Sequence, residues 1–250
     1  MARVGLALLL LAGTAFAGPK SAAKKTARKA AAKHATSRFQ NPDDAADTPA
    51  VRYAAMSPDD CLAELGKRQI AFESETAKGV LAPVRLTGPL HGVTFRTDLK
   101  DDQRATTPWE IADCRLVLAL DDFAAILEQH DVVEVRHYSM YRVAPKSWPD
   151  DKIGAQHNGG LALDAGRFIR KDGTSLDVLK MFHGKIGDRT CGDGAGPHPA
   201  TPDAKELRTI LCEAVDAHLF NVVLTPDFNR PHRNHFHLEV MAGVHWFLVH

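Results

Sequence analysis

Three histidines lie within six positions near the end of the chain, in the stretch PHRNHFHLEV at residues 231–240. They are His232, His235 and His237. The segment HFHLEV alternates polar and apolar residues as a strand does, so His235 and His237 share one face. Two imidazoles on one face of a core strand cost free energy unless they find partners. The pattern therefore predicts a polar site beside this strand, which His232 can also reach.

A second segment, QHNGGLALDAGRF, supplies the partners that this site needs. His157 precedes a Gly-Gly turn, and Asp164 lies seven residues later inside an apolar run. A carboxylate in such a run needs a strong partner, and a cation is the simplest one. Two histidines, one carboxylate and an open position are typical of catalytic zinc, whereas structural zinc is closed by four protein ligands. The alternatives are packed or surface histidines and an aspartate on an exposed face.

The rest of the chain alternates between helical and strand-like segments. Helices are predicted from Ser57, where SPDDCLAEL offers an N-cap followed by proline, and over 114–130 and 203–219. Strands are predicted at 82–86, 92–95, 132–141, 160–169, 220–225 and 235–240. Because helices are segregated from runs of strands, we predict an α+β fold with a largely antiparallel sheet and flanking helices.

The first residues, MARVGLALLLLAGTAFAG, have the pattern of a secretory signal peptide. Arg3 precedes a short apolar run, and Ala15-Phe16-Ala17 is a small-x-small cleavage site. The run is shorter than the ~20 residues of a membrane-spanning helix. We therefore predict a signal peptide over 1–17, cleavage near Ala17, no transmembrane segment in the mature protein, and a periplasmic or secreted location.

Residues 18–56 are predicted to be a disordered basic linker, with the ordered domain at 57–250. Residues 18–50 carry seven basic and three acidic side chains, a net charge of +4, and offer little to bury. The linker is either a solvated tether or an electrostatic attachment to anionic envelope polymers or lipid head groups. Residues 51–250 carry 23 basic and 28 acidic side chains, a net charge of −5, which argues against nucleic acid as a partner.

Four cysteines, an even number in an exported chain, favour two disulfides. Four cysteines allow three pairings, and we favour the sequential one, Cys61 with Cys114 and Cys191 with Cys212. A four-cysteine zinc site is the rival interpretation, but the chain lacks any C-x-x-C spacing.

The spacing of the histidines and the aspartate resembles that of known zinc enzymes. H-x(6)-D followed by H-x-H resembles the zinc peptidases that cut D-amino-acid bonds in peptidoglycan and share a fold with the Hedgehog signalling domain. HNGGLALDAGRF and VVLTPDFNRPHRNHFHLEV also resemble the extensin-like C-terminal domain family of bacterial exported proteins, and the four cysteines fit that family. The resemblance covers roughly residues 57–240.

The resemblance implies a role for each residue of the two motifs. It implies that His157, Asp164 and His237 bind one Zn²⁺ ion. It implies that His235 is the general base or stabilises the transition state. His232 matches the additional histidine of the murein endopeptidase pattern, H-x-x-H-x-H.

The chain departs from the carboxypeptidase and dipeptidase pattern at one position. Those enzymes have a glutamate three residues before the last metal ligand, where this chain has Asn234. The departure removes a carboxylate base and shifts proton transfer to His235 or His232. Glu239 lies on the face of the last ligand, where it either orients that ligand or is a solvated strand end.

An arginine upstream of the first motif grips the substrate in these families. HYSMYR places Arg142 15 residues before His157, and a guanidinium fork suits a carboxylate. A solvated strand-end arginine is the alternative, and Arg136 is a weaker rival for the same role.

Together these features predict an exported zinc-dependent peptidase of the D,D-carboxypeptidase or murein endopeptidase type. Its substrate would be the D-amino-acid-containing peptide bonds of peptidoglycan. The competing prediction is a non-catalytic module that keeps the fold and binds peptidoglycan or polysaccharide of the cell wall.

Overall fold

An eight-stranded sheet and a smaller three-stranded sheet form the frame of the protein in a computed structural model that describes residues 39–250. The strands are β1 (Phe39–Gln40), β2 (Phe72–Ser74), β3 (Pro83–Leu86), β4 (Thr94–Thr97), β5 (Ile111–Asp113), β6 (Val132–His137), β7 (Ala162–Arg170), β8 (Ser175–Asp177), β9 (Val222–Leu224), β10 (Phe236–Glu239) and β11 (Phe247–Val249). The helices are α1 (Pro49–Ala54), α2 (Pro58–Lys67), α3 (Asp101–Arg104), α4 (Cys114–Gln129), α5 (Val178–Met181) and α6 (Pro202–Asp216).

The large sheet has the strand order β1-β11-β9-β10-β7-β6-β4, and β8 pairs with β7. Only the β11–β9 and β4–β6 pairs are parallel among its described strands. The small sheet, β2-β3-β5, is antiparallel. The predicted α+β fold with a largely antiparallel sheet and flanking helices is therefore confirmed. None of the helices within residues 39–250 is long and apolar enough to cross a bilayer.

Helix α4 is the central helix of the core. Eleven of its 16 residues are buried, so its sequence is apolar on nearly every side instead of along one stripe. It packs against α1, α2 and α6. Asp113 caps its first turn by accepting a hydrogen bond from the Arg115 N–H at 3.0 Å. Helix α2 begins as predicted, with Ser57 as N-cap.

A cluster of phenylalanines packs against one face of the large sheet and makes it the core face. The Phe236 ring of β10 lies 5.8 Å from Phe168 of β7 and 5.4 Å from Phe182. Phe168 in turn meets Phe123 of α4 at 6.5 Å. Because side chains alternate along a strand, burying Phe236 in this cluster turns His237 to the opposite face.

Both disulfides have the predicted sequential pairing. Cys61 of α2 is bonded to Cys114 at the start of α4, and Cys191 is bonded to Cys212 of α6. The bonds close loops with sequence separations of 53 and 21 residues. The described chain has no free cysteine.

The pairing of two predicted strands was not foreseen, and the predicted extent of a third is wrong. Segments 82–86 and 92–95 form β3 and β4 but belong to different sheets, because each strand pairs with a partner distant in sequence. The strand predicted at 132–141 ends at His137, where its register against β7 shifts.

The boundary between linker and domain is also corrected. The prediction assigned residues 18–56 to a disordered linker. Residues 18–38 and the predicted signal peptide lie outside the described residues, but residues 39–56 carry β1 and α1. Val51 and Tyr53 of α1 are buried, and the Tyr53 hydroxyl donates a hydrogen bond to Asp122 at 2.5 Å. The segment around this helix is rich in aspartate and proline, so a prediction from composition gives little weight to the few apolar residues that the helix buries.

We predict that removing residues 1–37 and removing residues 1–56 have different effects on the free energy of unfolding. Removing residues 1–56 should lower the free energy of unfolding by roughly 3–6 kcal/mol, from about 1.5–3 kcal/mol for each large buried side chain of α1. Removing residues 1–37 should leave it unchanged. Urea denaturation of both truncated proteins checks this, and equal stabilities would contradict the packing of α1.

Candidate metal centre

Strands β7 and β10 bring the two sequence motifs together. In their antiparallel register His237 lies directly opposite Asp164, on the face away from the phenylalanine cluster. The His237 Nδ1 atom is 3.0 Å from Asp164 Oδ1. Asp164 and His237 are only 2% and 5% exposed. The register therefore places a charged carboxylate and an imidazole side by side in the sheet.

A 3₁₀ turn, Gln156–Gly159, delivers the second histidine to the same carboxylate. The His157 Nε2 atom is 3.1 Å from Asp164 Oδ1. Gly160 ends the turn in the left-handed region at φ 64°, and a Cβ there would lie 2.8 Å from the Asp113 nitrogen. Only glycine fits this bend, which explains the second glycine of the Gly159-Gly160 pair.

His157, Asp164 and His237 each offer a ligand atom, and these atoms lie within 4.8 Å of one another. Within residues 39–250 this is the group whose geometry suits a metal ion. Imidazole nitrogen and carboxylate oxygen are ligand types that Zn²⁺ accepts.

The remaining ring nitrogens of the two histidines show that the group fits a cation. His157 Nδ1–H donates to the Met140 carbonyl at 3.1 Å, so Nε2, which faces Asp164, is the nitrogen that a metal ion would use. His237 Nε2 lies 3.4 Å from Glu239 Oε2, and donation there leaves the lone pair of Nδ1 towards the same carboxylate. A ring nitrogen that faces a carboxylate oxygen at hydrogen-bond distance needs a proton or a metal ion between the two atoms. A backbone carbonyl or carboxylate behind each histidine is also what metal-binding histidines usually have.

The charges at the centre compensate one another. Burial alone would raise the pKa of Asp164, but hydrogen bonds from His157 and His237 outweigh it and hold that pKa far below its usual range. Burial lowers the pKa of His237, but the hydrogen bonds to Asp164 and Glu239 outweigh it and raise that pKa to about 9. In the metal-free protein the buried carboxylate is therefore ionised and paired with an imidazolium.

His235 also reaches the centre but is held by different partners. Its Nε2 atom lies 3.4 Å from Asp164 Oδ1, and its Nδ1 atom lies 3.0 Å from Asn234 Oδ1. The Asn234 amide in turn donates to the Tyr138 hydroxyl at 3.0 Å. Burial lowers the pKa of His235 to about 4, against the attraction of Asp164. His235 is therefore a neutral imidazole at pH 7.

His232 lies behind His235 at the edge of the centre. Its ring centroid is 5.1 Å from that of His235 and 5.9 Å from that of His237. The Asn229 side chain accepts hydrogen bonds from the His232 backbone N–H at 3.2 Å and from its Nδ1 at 2.7 Å. Burial lowers the pKa of His232 as well.

The family model for the extensin-like protein C-terminus matches residues 59–247. The chain belongs to this family. No curated protein and no solved structure matches the extensin-like chain.

The structure separates the two arginines considered for substrate binding. The Arg142 guanidinium forms a short ion pair with Asp164 and donates from Nε to Ser139 at 3.0 Å. Arg136 instead pairs with Glu134 at 2.5 Å and with Asp98 at 2.7 Å, away from the metal group. Of the two, Arg142 is therefore the one at the extensin-like centre.

Two participants in the centre were missed by sequence reasoning. The Met140 carbonyl, which orients His157, is a backbone group and leaves no trace in the residue pattern. Tyr138 packs on the edge of His235 with ring centroids 5.8 Å apart. A Cβ on Gly166 would lie 3.1 Å from the Tyr138 ring, so this glycine inside a strand was the signal of a close approach.

We predict that the ligand histidines and their neighbour differ in metal binding. His157→Ala and His237→Ala should each lose zinc, because each removes a nitrogen from the three-residue group. His235→Ala should keep near-stoichiometric zinc. Elemental analysis of the purified variants measures this, and loss of zinc from His235→Ala would show that the ligand set is assigned wrongly.

We also predict that Glu239→Gln weakens zinc binding by roughly 10–100-fold, the usual effect of losing a group that orients a metal-binding histidine. Titration with a competing zinc chelator measures the affinity. Glu213→Gln, at an exposed glutamate paired with His130, is the matched control and should bind zinc as the unaltered protein does. Equal affinities for both variants would contradict the role of Glu239.

Proposed function

We propose that this extensin-like domain is an exported zinc-dependent peptidase that hydrolyses D-amino-acid-containing peptide bonds of peptidoglycan. The convergence of two histidines on one buried carboxylate, with His235 as a third histidine beside them, is the observation that carries the proposal. The motif spacing shared with the zinc D,D-peptidases supplies the substrate class. We also propose that this domain has a fold related to that of the zinc D,D-peptidases.

His157, Asp164 and His237 would hold one Zn²⁺ ion. When bound, the ion would polarise the scissile carbonyl and lower the pKa of a coordinated water. The residues around it keep the ligands in place: the Met140 carbonyl fixes the His157 ring, and Glu239 fixes the His237 ring. Both are buried, so water does not compete for these hydrogen bonds.

His235 is suited to accept the proton that the reaction releases. Because the Asn234 amide nitrogen donates to Tyr138, its oxygen is the acceptor for His235 Nδ1–H. The Nε2 lone pair then points towards Asp164 and the ligand group. Asn234 occupies the position of the peptidase glutamate and acts here by orienting a base instead of being one. His232, whose ring lies beside His235, is the second candidate for proton transfer.

Arg142 has a place at the centre that suits substrate binding. Its side chain is 54% exposed although it is paired with Asp164, so guanidinium donors remain open to solvent. Its backbone N–H donates to the His157 carbonyl at 2.9 Å, which ties it to the metal group. A substrate carboxylate or carbonyl that contacts this guanidinium would lie next to the metal.

The location of the protein follows from its cysteines and its first residues. Two disulfides are compatible with an extracellular environment. The signal-peptide pattern at residues 1–17 extends this to a proposed periplasmic or secreted location, where peptidoglycan is within reach.

One observation favours a second function, a non-catalytic module that binds peptidoglycan or polysaccharide. Asn234 lacks the carboxylate that serves as a base in the carboxypeptidase pattern. In such a module the ligand group and any bound zinc would have a structural role, and the open side of the centre would only recognise its ligand.

We predict that the zinc-loaded protein releases peptide fragments from purified sacculi and that a chelator stops this release. His235→Ala should lower the rate by ~10²–10⁴-fold, the range expected for a missing acid–base group, while its zinc content is unchanged. His245→Ala, an exposed histidine, is the matched control and should keep full activity. Chromatography of the released fragments gives the rates.

Three results would revise the proposal. Full activity in His235→Ala would show that His235 does not transfer the proton and would leave His232 as the candidate. Activity that survives complete removal of the metal would contradict the zinc mechanism. Zinc binding without hydrolysis of any cell-wall substrate would favour the binding module.

A further inference from the structure

A groove of about 420 Å³ lies beside the candidate metal centre and has no part in the chemistry described so far. Residues of α5 and of the segment after it form one wall. The 3₁₀ turn Arg230–His232 and its neighbours form the other. Its lining combines apolar side chains with two arginines.

The apolar wall is exposed in a way that suggests a ligand. Leu179 is 54% exposed and Ile186 is 59% exposed, and both line the groove. Phe182, which is almost fully buried, lies between them in the chain and lines the same groove. Single exposed hydrophobic residues are ordinary, but several on one concave surface mark a binding site.

The arginines of the opposite wall have no acidic partner. Within residues 39–250 no ion pair involves Arg230 or Arg233, and Arg233 donates only to the Arg230 carbonyl, at 3.2 Å. The nearby carboxylate of Asp227 is fully buried and already bound by Arg208 at 3.1 Å. Two guanidinium groups are therefore open to a ligand, and a carboxylate is the group that their fork of donors fits best.

The groove is joined to the metal centre through one residue. Asn229 lines the groove, and its side chain holds the His232 ring at 2.7 Å. That ring lies 5.1 Å from His235. A chain lying in the groove would thus continue past His232 to the open side of the centre.

We propose that this groove is a substrate subsite that binds a carboxylate-bearing peptide segment, with its carboxylates on Arg230 and Arg233 and its apolar side chains against Leu179 and Ile186. The inference rests on the proposed function and names the part of the substrate that fixes its position. A peptide is favoured over a glycan because the groove pairs apolar surface with positive charge, whereas sugar hydroxyls need neither.

The test compares two probes on the zinc-loaded full chain by isothermal titration calorimetry. One is a stem tripeptide with free carboxylates and no D-alanine, and the other is the same peptide with every carboxylate amidated. The unaltered protein should bind the acidic probe at least about tenfold more tightly. The double variant Arg230→Gln, Arg233→Gln should lose this preference.

Arg52→Gln is the control, because it removes one guanidinium charge at a different cavity and should keep the preference. Unchanged zinc content in the double variant shows that it is folded. Equal binding of the two probes to the unaltered protein, or an unchanged preference in the double variant, would overturn the subsite. The subsite would also be overturned if the protein bound a neutral glycan fragment and neither of the two peptides.

The outcome for the subsite is separate from the outcome for hydrolysis. If the protein hydrolyses no cell-wall substrate but prefers the acidic probe through Arg230 and Arg233, the peptidase proposal fails and the peptide subsite stands. If it hydrolyses sacculi and the double variant keeps both KM and the probe preference, the peptidase proposal stands and the subsite fails.

Discussion

The buried carboxylate of Asp164 is the group around which this structure is arranged. A charge that is 2% exposed costs several kcal/mol unless donors surround it. Here the donors come from segments distant in sequence: His157 from a 3₁₀ turn, His237 from β10 and Arg142 from the chain after β6. The pairing of β7 with β10 sets this arrangement, because a slip of one residue would turn His237 into the phenylalanine core. The fold and the candidate metal centre therefore depend on the same register.

The residues of the candidate centre could be picked out from the sequence because they are polar residues within apolar segments. Asp164 interrupts an apolar run, and two histidines alternate with buried apolar residues, so each is visible without a structure. Which of His235 and His237 binds the metal is not visible, because both lie on one strand face. In the structure His237 belongs to the group with His157 and Asp164, and the second partners of the two histidines differ: Asn234 for His235 and Glu239 for His237. Helix α1 and the separation of β3 from β4 depend on long-range packing, which periodicity along the chain does not report.

The surroundings of the centre divide into a closed side and an open side. On the closed side, Glu239 and the Met140 carbonyl hold the two histidines in buried hydrogen bonds. On the open side lie the half-exposed Arg142 and, beyond His232, the groove with Arg230 and Arg233. Rigid candidate ligands on one side and exposed cationic groups on the other would suit an anionic substrate. A peptidase and a cell-wall binding module would share this layout, and they differ in whether His235, beside the ligand group, takes part in proton transfer.

We propose that two imidazoles and one carboxylate of this chain bind a single zinc ion. X-ray absorption at the zinc K-edge of the loaded protein tests it directly, because the scattering reports the number of imidazole rings and the presence of sulfur. We expect one zinc ion per chain with two imidazole ligands, oxygen as the remaining ligands, and no sulfur, since all four cysteines are in disulfides. Three or more imidazoles, a sulfur ligand, or a protein that retains no zinc would contradict it.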